Sequence, residues 1–264
     1  LVAIFAPYIA PKAYDAASFK DTNGTPAWVT RIFPNMKPVD DGGYVKIRDE
    51  YLFGADNLGR DLLSRIIFGA RISLAIGIMA PLINLTVGLP VGLLAGYQGG
   101  WLDNIIMRFV DIMFAFPTYL LIILLMAVFR LGASKLEHGS LGYAFGQLDA
   151  VMGGLLFIFI GIGLTSWMGE ARLTRGQVMS VRENEYIIAA RALGASTSRI
   201  IFRHIFPNIL GPLIVAETLY IPGYIAYEAF LSFIGLGVNP PTPSWGGMIA
   251  DGAVRIQSYP NHAL

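Results

Sequence analysis

Ile72–Leu102 is a run of 31 residues without a charged side chain, and no other feature constrains the chain as much. A helix rises 1.5 Å per residue, so about 20 apolar residues cross the ~30 Å hydrocarbon core of a bilayer. Ile112–Phe129 and Ala150–Gly169 add uncharged runs of 18 and 20, and Ile205–Gly237 holds only two charges, Glu217 and Glu228. Leu1–Ala10 is apolar but short, and reads as the tail of a further span. The composition agrees. Hydrophobic residues make up 55% and charged residues 14%, with a mean hydropathy of +0.57, whereas soluble domains carry about 25% charged residues. A disordered chain and an ordinary soluble enzyme are both disfavoured. The stretch LLIILLMAVF at 120–129 is apolar on every side, while a barrel strand alternates. The expected fold is an all-α polytopic membrane bundle.

Orientation follows the positive-inside rule. Between the last two full runs, residues 170–207 hold six Arg against three Glu, which places this segment in the cytoplasm. The inverted arrangement is the alternative. Alternation then gives the tail of span one at 1–10 and an external loop at 11–70 with an interfacial helix at 57–70. Span two is expected at 71–97, a short internal turn at 97–104 and span three at 104–130. An external loop at 131–149 precedes span four at 150–172, the cytoplasmic segment at 173–206, span five at 207–237 and an external segment at 238–264. Pro81, Pro90, Pro117, Pro212 and Pro222 fall within spans and are expected to kink them.

Several chemistries lack their residues. The net charge is +1, with no basic excess for nucleic acid. No Cys is present, so no disulfide framework or thiolate metal site forms. There is no G-x-x-x-x-G-K-[ST] phosphate loop, no H-E-x-x-H and no G-x-S-x-G. His138, His204 and His262 are far apart, and no metal site is expected.

The cytoplasmic segment reads EYIIAARALGASTSRIIFRHIFPN at 185–208. Tyr186–Leu193 favours helix, Gly194 ends it as a residue free to adopt the left-handed conformation, and Ser196 can cap the next helix. Pro207 marks entry to the last span. Small Ala189 and Ala190 leave a smooth face that another protein can approach closely. Two readings fit these residues: a docking elbow, or a plain helical connector.

This string resembles the EAA loop of ABC importer permeases, with A-A-R-A-L-G-A-S and R-H-I-F-P-N similar to the dipeptide/oligopeptide/nickel branch. FGADNLGRDLLSRIIFGARISL at 53–74 and LSFIGLGVNPPTPSWG at 231–246 resemble segments of the same branch, in the same order. The resemblance implies a type I-like permease subunit of six spans, here without most of span one and all of span six, in the cytoplasmic (inner) membrane. It implies no ATPase site in this chain, with ATP and Mg held by two partner ATP-binding subunits. A homologous second permease, an external substrate-binding protein and membrane lipid complete the partners. The residues implied in ATPase coupling are Glu185, Ala189, Ala190, Arg191, Gly194, Ala195, Ser198, His204 and Pro207. Ile188 stands where the family motif has Glu, and its apolar side chain forms no salt bridge there; Glu185 lies three residues earlier on a similar face.

Two further groups of residues are candidates. In 53–74, Asp56 or Asn57 can cap a helix. Leu62, Leu63, Ile66, Ile67 and Ala70 form one apolar stripe, and Arg60, Asp61, Ser64 and Arg65 take the other face. Asp56, Gly59, Arg60 and Asp61 then belong either to an external docking lip or to a packing helix that seals the bundle. Charges at membrane depth are costly and face a partner or a wet cavity. Arg108 and Asp111, three apart, are expected to pair on one helix. Glu217 and Glu228, three turns apart, either line a route for peptide amines or pair with Arg on another chain. The leading expectation is an ATP-driven permease for di- and oligopeptides. The alternative is an ion-coupled secondary carrier using Asp111, Glu217 and Glu228.

Overall fold

The structure, a computed structural model, describes residues 1–133 and 140–263. It is helical, and among the described residues only isolated bridges, such as Thr25 with Ile47, replace β-structure. The helices in chain order are α1 Ala6–Ile9, α2 Ala27–Ile32, α3 Leu62–Gln98, α4 Gly100–Phe114, α5 Thr118–Ala133, α6 Leu141–Val151, α7 Leu155–Arg182, α8 Glu185–Ala192, α9 Thr197–Ile200, α10 Phe206–Phe233 and α11 Trp245–Ala253. A π-helical stretch, Ile201–Ile205, joins α9 to α10.

Three helical segments among the described residues are long and apolar enough to cross a membrane: Leu62–Gln98, Leu155–Arg182 and Thr197–Phe233. A fourth crossing forms if Gly100–Phe114 and Thr118–Ala127, bent by 75° at their break, count as one broken span. That bend lies at Pro117, inside the segment expected as one helix at 104–130. Pro81, Pro90, Pro212 and Pro222 sit inside helices that continue through them. The separate interfacial helix and span expected at 57–70 and 71–97 are one helix, α3, of 37 residues, which at 1.5 Å each is about 55 Å long. Its N-cap position is held by Asp61, not Asp56 or Asn57: the Asp61 carboxylate accepts from Ser64 N at 2.8 Å and Ser64 Oγ at 2.5 Å. α7 likewise runs ten residues past the expected end of span four. Of the loop expected at 131–149, residues 141–149 lie in α6, and residues 134–139 lie outside the described residues.

The chain divides into two compact units. The first comprises the described parts of Leu1–Ile76, Glu137–Leu156 and Ile225–Leu264. Its N-terminal segment is ordered around Val29, Met36 and Val45, with Trp28, Phe33, Ile47 and Tyr259 packed against them. Asp21 accepts from Ser18 Oγ at 2.6 Å, Arg48 Nε at 2.7 Å and Tyr51 Oη at 3.1 Å, and these donors hold its carboxyl below the usual range. α11 begins on α3. Trp245 donates from its backbone N to Ser73 Oγ and from its ring to the Ile66 carbonyl, each at 3.1 Å.

The second unit comprises the described parts of Gly77–Leu136 and Phe157–Tyr224. Its backbone contact is made by Gly88, Gly92 and Gly96 of α3. A Cβ at these positions would lie 2.6 Å from Trp167 O, 2.5 Å from Ala171 O and 2.8 Å from Arg175 O of α7. Both sets of residues repeat every four positions, so one stripe of α3 lies directly on the backbone of α7, as small residues permit in membrane bundles. Arg182 at the end of α7 donates to the Gly96 and Tyr97 carbonyls at 2.7 and 3.3 Å. It thereby occupies acceptors that the α3 C-terminus leaves free.

Candidate functional site

The segment 183–207 folds as an elbow. α8 ends in a Schellman motif: Ala195 N donates to Ala190 O and Gly194 N to Arg191 O, each at 3.0 Å. Gly194 takes φ +81°, the left-handed geometry that glycine adopts without a Cβ penalty. Ser196 starts α9, its hydroxyl accepting from Arg199 N. The elbow is fastened by Ile187 and Ile200, which are buried in one cluster with Leu93, Val178, Ile205, Ile209 and Leu213. Its other face is open. Tyr186, Ile188, Leu193 and Phe202 are 45, 55, 88 and 68% exposed. Glu185, Ala189, Arg191, Gly194, Ser198 and Pro207 are also exposed, while Ala190, Ala195 and His204 are half-buried. Ile188, the departure from the family motif, therefore presents an apolar side chain on the open face, and Glu185 is exposed beside it.

α7 reaches the elbow along a braced path. Arg175 of α7 makes a two-pronged ion pair with Asp103 of α4, at 2.5 and 2.6 Å. Arg172 pairs with Asp111 and lies over the Phe114 ring. The expected pairing of Arg108 with Asp111 is thus replaced by an interhelical one, in which the Arg172 guanidinium of α7 is also seated over the Phe114 ring. Asp111 is also not a buried acid, its side chain being 53% exposed.

Glu217 and Glu228 are both buried, and each is engaged within its own unit. Glu217 accepts from Tyr224 Oη at 2.9 Å, and the same hydroxyl accepts from Asn84 Nδ2 at 2.6 Å. Glu170 and Thr174 of α7 join this cluster: Thr174 Oγ1 donates to Glu170 at 3.1 Å, and Glu170 faces Glu217. Sequence reading missed Asn84, Glu170 and Tyr224. Glu170 is the first charge after an uncharged run and reads as the start of a loop, and neutral polar residues in an apolar run give no signal. Glu228 accepts from Ser232 Oγ at 2.6 Å and Ser244 Oγ at 2.7 Å. Ser244 is also the N-cap of α11, accepting from Gly247 N. Glu228 is thus an anchor for the start of α11.

The residues considered for an external docking lip are buried as well. Asp56, Gly59, Arg60 and Asp61 build the turn before α3. Asp56 accepts from Leu58 N at 2.8 Å, Arg60 N at 3.0 Å and Arg60 Nε at 2.7 Å. The polar side of the α3 start faces inward because these groups satisfy one another. Among the described residues no group of three or more potential metal-ligating side chains gathers.

Comparison with known proteins places this architecture. Residues 88–259 match the family model of the binding-protein-dependent transport system inner membrane component. The Bacillus subtilis oligopeptide transport system permease protein OppC is 36% identical over 260 residues, covering 98% of this chain and 71% of the relative. The Escherichia coli K12 OppC is 37% identical over 260 residues, covering 98% and 72%. The Bacillus subtilis dipeptide transport system permease protein DppC is 40% identical over 210 residues, covering 79% and 58%. The chain thus spans between 58 and 72% of these relatives' lengths. A chain of the MetNI methionine ABC transporter in an inward-facing conformation matches with a TM-score of 0.50 at 18% identity, covering 70% of this chain and 79% of that one. This likeness shows a shared fold. The matches do not support an ion-coupled secondary carrier. The chain belongs to the family of binding-protein-dependent transport system inner membrane components, the permease subunits of ABC importers.

Proposed function

We propose that this chain is a membrane permease subunit of an ATP-driven importer of di- and oligopeptides, and that residues 173–206 form its cytoplasmic coupling loop. One observation carries the coupling assignment. The elbow is fastened on one side by Ile187 and Ile200 and presents Tyr186, Ile188, Leu193 and Phe202 on the other. Large apolar side chains exposed together mark an interaction surface. The resemblance to OppC and DppC supports peptides as cargo. In this reading nucleotide hydrolysis belongs to two partner ATP-binding subunits. A homologous second permease encloses the pathway with this one, and an external binding protein delivers the peptide.

In this reading, closure of the ATP-binding subunits displaces the elbow, and α7 and the Thr197–Phe233 helix transmit that displacement to the pathway. The elbow works by shape and apolar contact, with Glu185 and Arg191 at its rim. Co-isolation of the full-length chain with its neighbours tests the assignment. ATP-binding subunits should come down with the wild type and be lost when Leu193 and Phe202 are both replaced by Asp. Crosslinks that placed residues 186–202 against only lipid and their own chain would reject it.

A further inference from the structure

Asn84 of α3, Glu170 and Thr174 of α7, and Glu217 and Tyr224 of α10 form one polar cluster within the second unit. None of them is more than 5% exposed. Gly88, one turn on from Asn84, leaves the room for it: a Cβ there would lie 2.7 Å from Glu170 Cβ. The two carboxyl groups are within hydrogen-bonding reach of each other, and the other groups that bond to them are neutral: Thr174, Tyr224 and Asn84. Neither Glu170 nor Glu217 has an ion-pair partner among the described residues. The nearest arginines along α7, Arg172 and Arg175, are paired with Asp111 and Asp103. Donors are unequally shared. Tyr224 Oη donates to Glu217 at 2.9 Å and Thr174 Oγ1 to Glu170 Oε1 at 3.1 Å, whereas Glu170 Oε2 is buried with no partner.

Two buried carboxylates side by side do not both stay ionised when neither water nor a cation offsets their repulsion, and such pairs carry one proton between them. A buried oxygen without a hydrogen bond is costly in its own right. One proton answers both demands. We propose that Glu170 and Glu217 are a proton-binding pair, in which Glu170 carries the proton on Oε2 and donates it in a hydrogen bond to the Glu217 carboxylate. Glu217 is the acceptor because the Tyr224 hydroxyl already donates to it and favours its charged form. The pair then holds a single negative charge, and its bond ties α7 to α10. Asn84 extends the tie to α3 by donating to the Tyr224 hydroxyl at 2.6 Å. α7 and α10 are the two arms that the elbow connects, so the shared proton is a joint between them. The assignment rests on this geometry and not on the importer reading.

Infrared difference spectroscopy on the full-length chain in its assembled complex tests the pair. Wild type should show a protonated-carboxyl stretch that shifts in heavy water and that Glu170→Gln removes. Glu217→Gln should move the same stretch to higher frequency, because an amide accepts a weaker hydrogen bond than a carboxylate. That variant keeps the test open if Glu170→Gln fails to assemble. A spectrum unchanged by Glu170→Gln, or a stretch that Glu217→Gln leaves in place, overturns the proposal. So does a stretch that vanishes when sodium replaces N-methylglucamine in the buffer, which would make the bound ligand a metal cation. Melting reads the joint. Glu170→Gln keeps an N–H donor toward Glu217, whereas Glu170→Met fills similar space without one, so the Met variant should melt at the lower temperature. Equal melting of the two would overturn the bond between α7 and α10.

Discussion

At the scale of single residues, Gly194 and Glu228 each have a role that a substitution can expose. Gly194 has open space around it, where a Cβ would meet nothing within 4 Å, but its φ of +81° penalises any β-branched side chain. Gly194→Val should therefore strain the elbow by roughly 1–3 kcal/mol without removing a contact. The expected outcome is normal membrane insertion with peptide uptake reduced at least about ten-fold for such a strain, read by transport and ATPase assays on the same vesicles. Full uptake would detach the elbow from coupling. Glu228 gives the opposite contrast. Glu228→Gln keeps an acceptor for Ser232 and Ser244, whereas Glu228→Leu strands two hydroxyls at about 1–3 kcal/mol each. Thermal unfolding should separate them, with Leu clearly less stable than Gln. If Glu228 lined a peptide route instead, Gln would abolish uptake while leaving stability intact. Sequence alone could rank Glu228 as unusual, because a charge in an apolar run is legible. It could not name the partners, since Ser232 and Ser244 are ordinary loop and helix residues until α11 folds back.

At the scale of elements, the uncharged runs announce helices reliably and their ends poorly. A helix continues wherever backbone hydrogen bonds continue, and water does not stop it. α7 therefore carries Arg172, Arg175 and Arg182 on the same rod that carries the apolar run, although those Arg residues read as loop. Proline is similarly ambiguous: only Pro117 coincides with a break, because the other helices continue through their prolines. The α3–α7 contact makes a sharp prediction. Gly92→Leu pushes a side chain into the Ala171 carbonyl and Thr174. It should destabilise the bundle by about 1–3 kcal/mol or more, as overpacking does, and lower the yield of monodisperse protein, whereas Gly176→Leu, at a glycine with open space, should not. The Asp103–Arg175 fork predicts a charge-swap rescue. Asp103→Asn should lower stability, and Asp103→Arg with Arg175→Asp should recover a good part of what either single reversal loses. Failure of the double variant would reduce the fork to an incidental surface pair.

At the scale of the whole molecule, stability should depend on pH through His262. Burial, aided by Arg255, pushes its imidazole from the ordinary 6.5 down to about 4. The unfolded chain takes a proton near pH 6.5 and the folded chain only near 4, so stability falls as pH drops through that window and levels off below it. The effect is at most about 3 kcal/mol. Asp21 extends the acid-side loss, since its lowered carboxyl contributes stability that disappears as pH falls below the ordinary carboxylate range. Melting curves of wild type and His262→Gln between pH 4 and 7 should diverge in slope. Parallel curves would remove His262 from the account. None of this was visible in the sequence, where His262 is one isolated imidazole near the end of the chain. Its environment is assembled from Ala55, Asp56, Arg255 and Tyr259, residues from opposite ends of the sequence. The membrane class and the family resemblance were legible because both are written in contiguous strings, while buried polar partners are written across the fold.

The two flanks of the elbow differ in stiffness. On one side stands α7, an unbroken rod of 28 residues seated on glycine and pinned by arginine. On the other, five residues wind in the wider π turn, with i→i+5 bonding, before α10 resumes. A sideways load at the tip therefore meets unequal compliance. The α7 side carries it as a stiff beam, and the α10 side yields first, through the looser winding at its base.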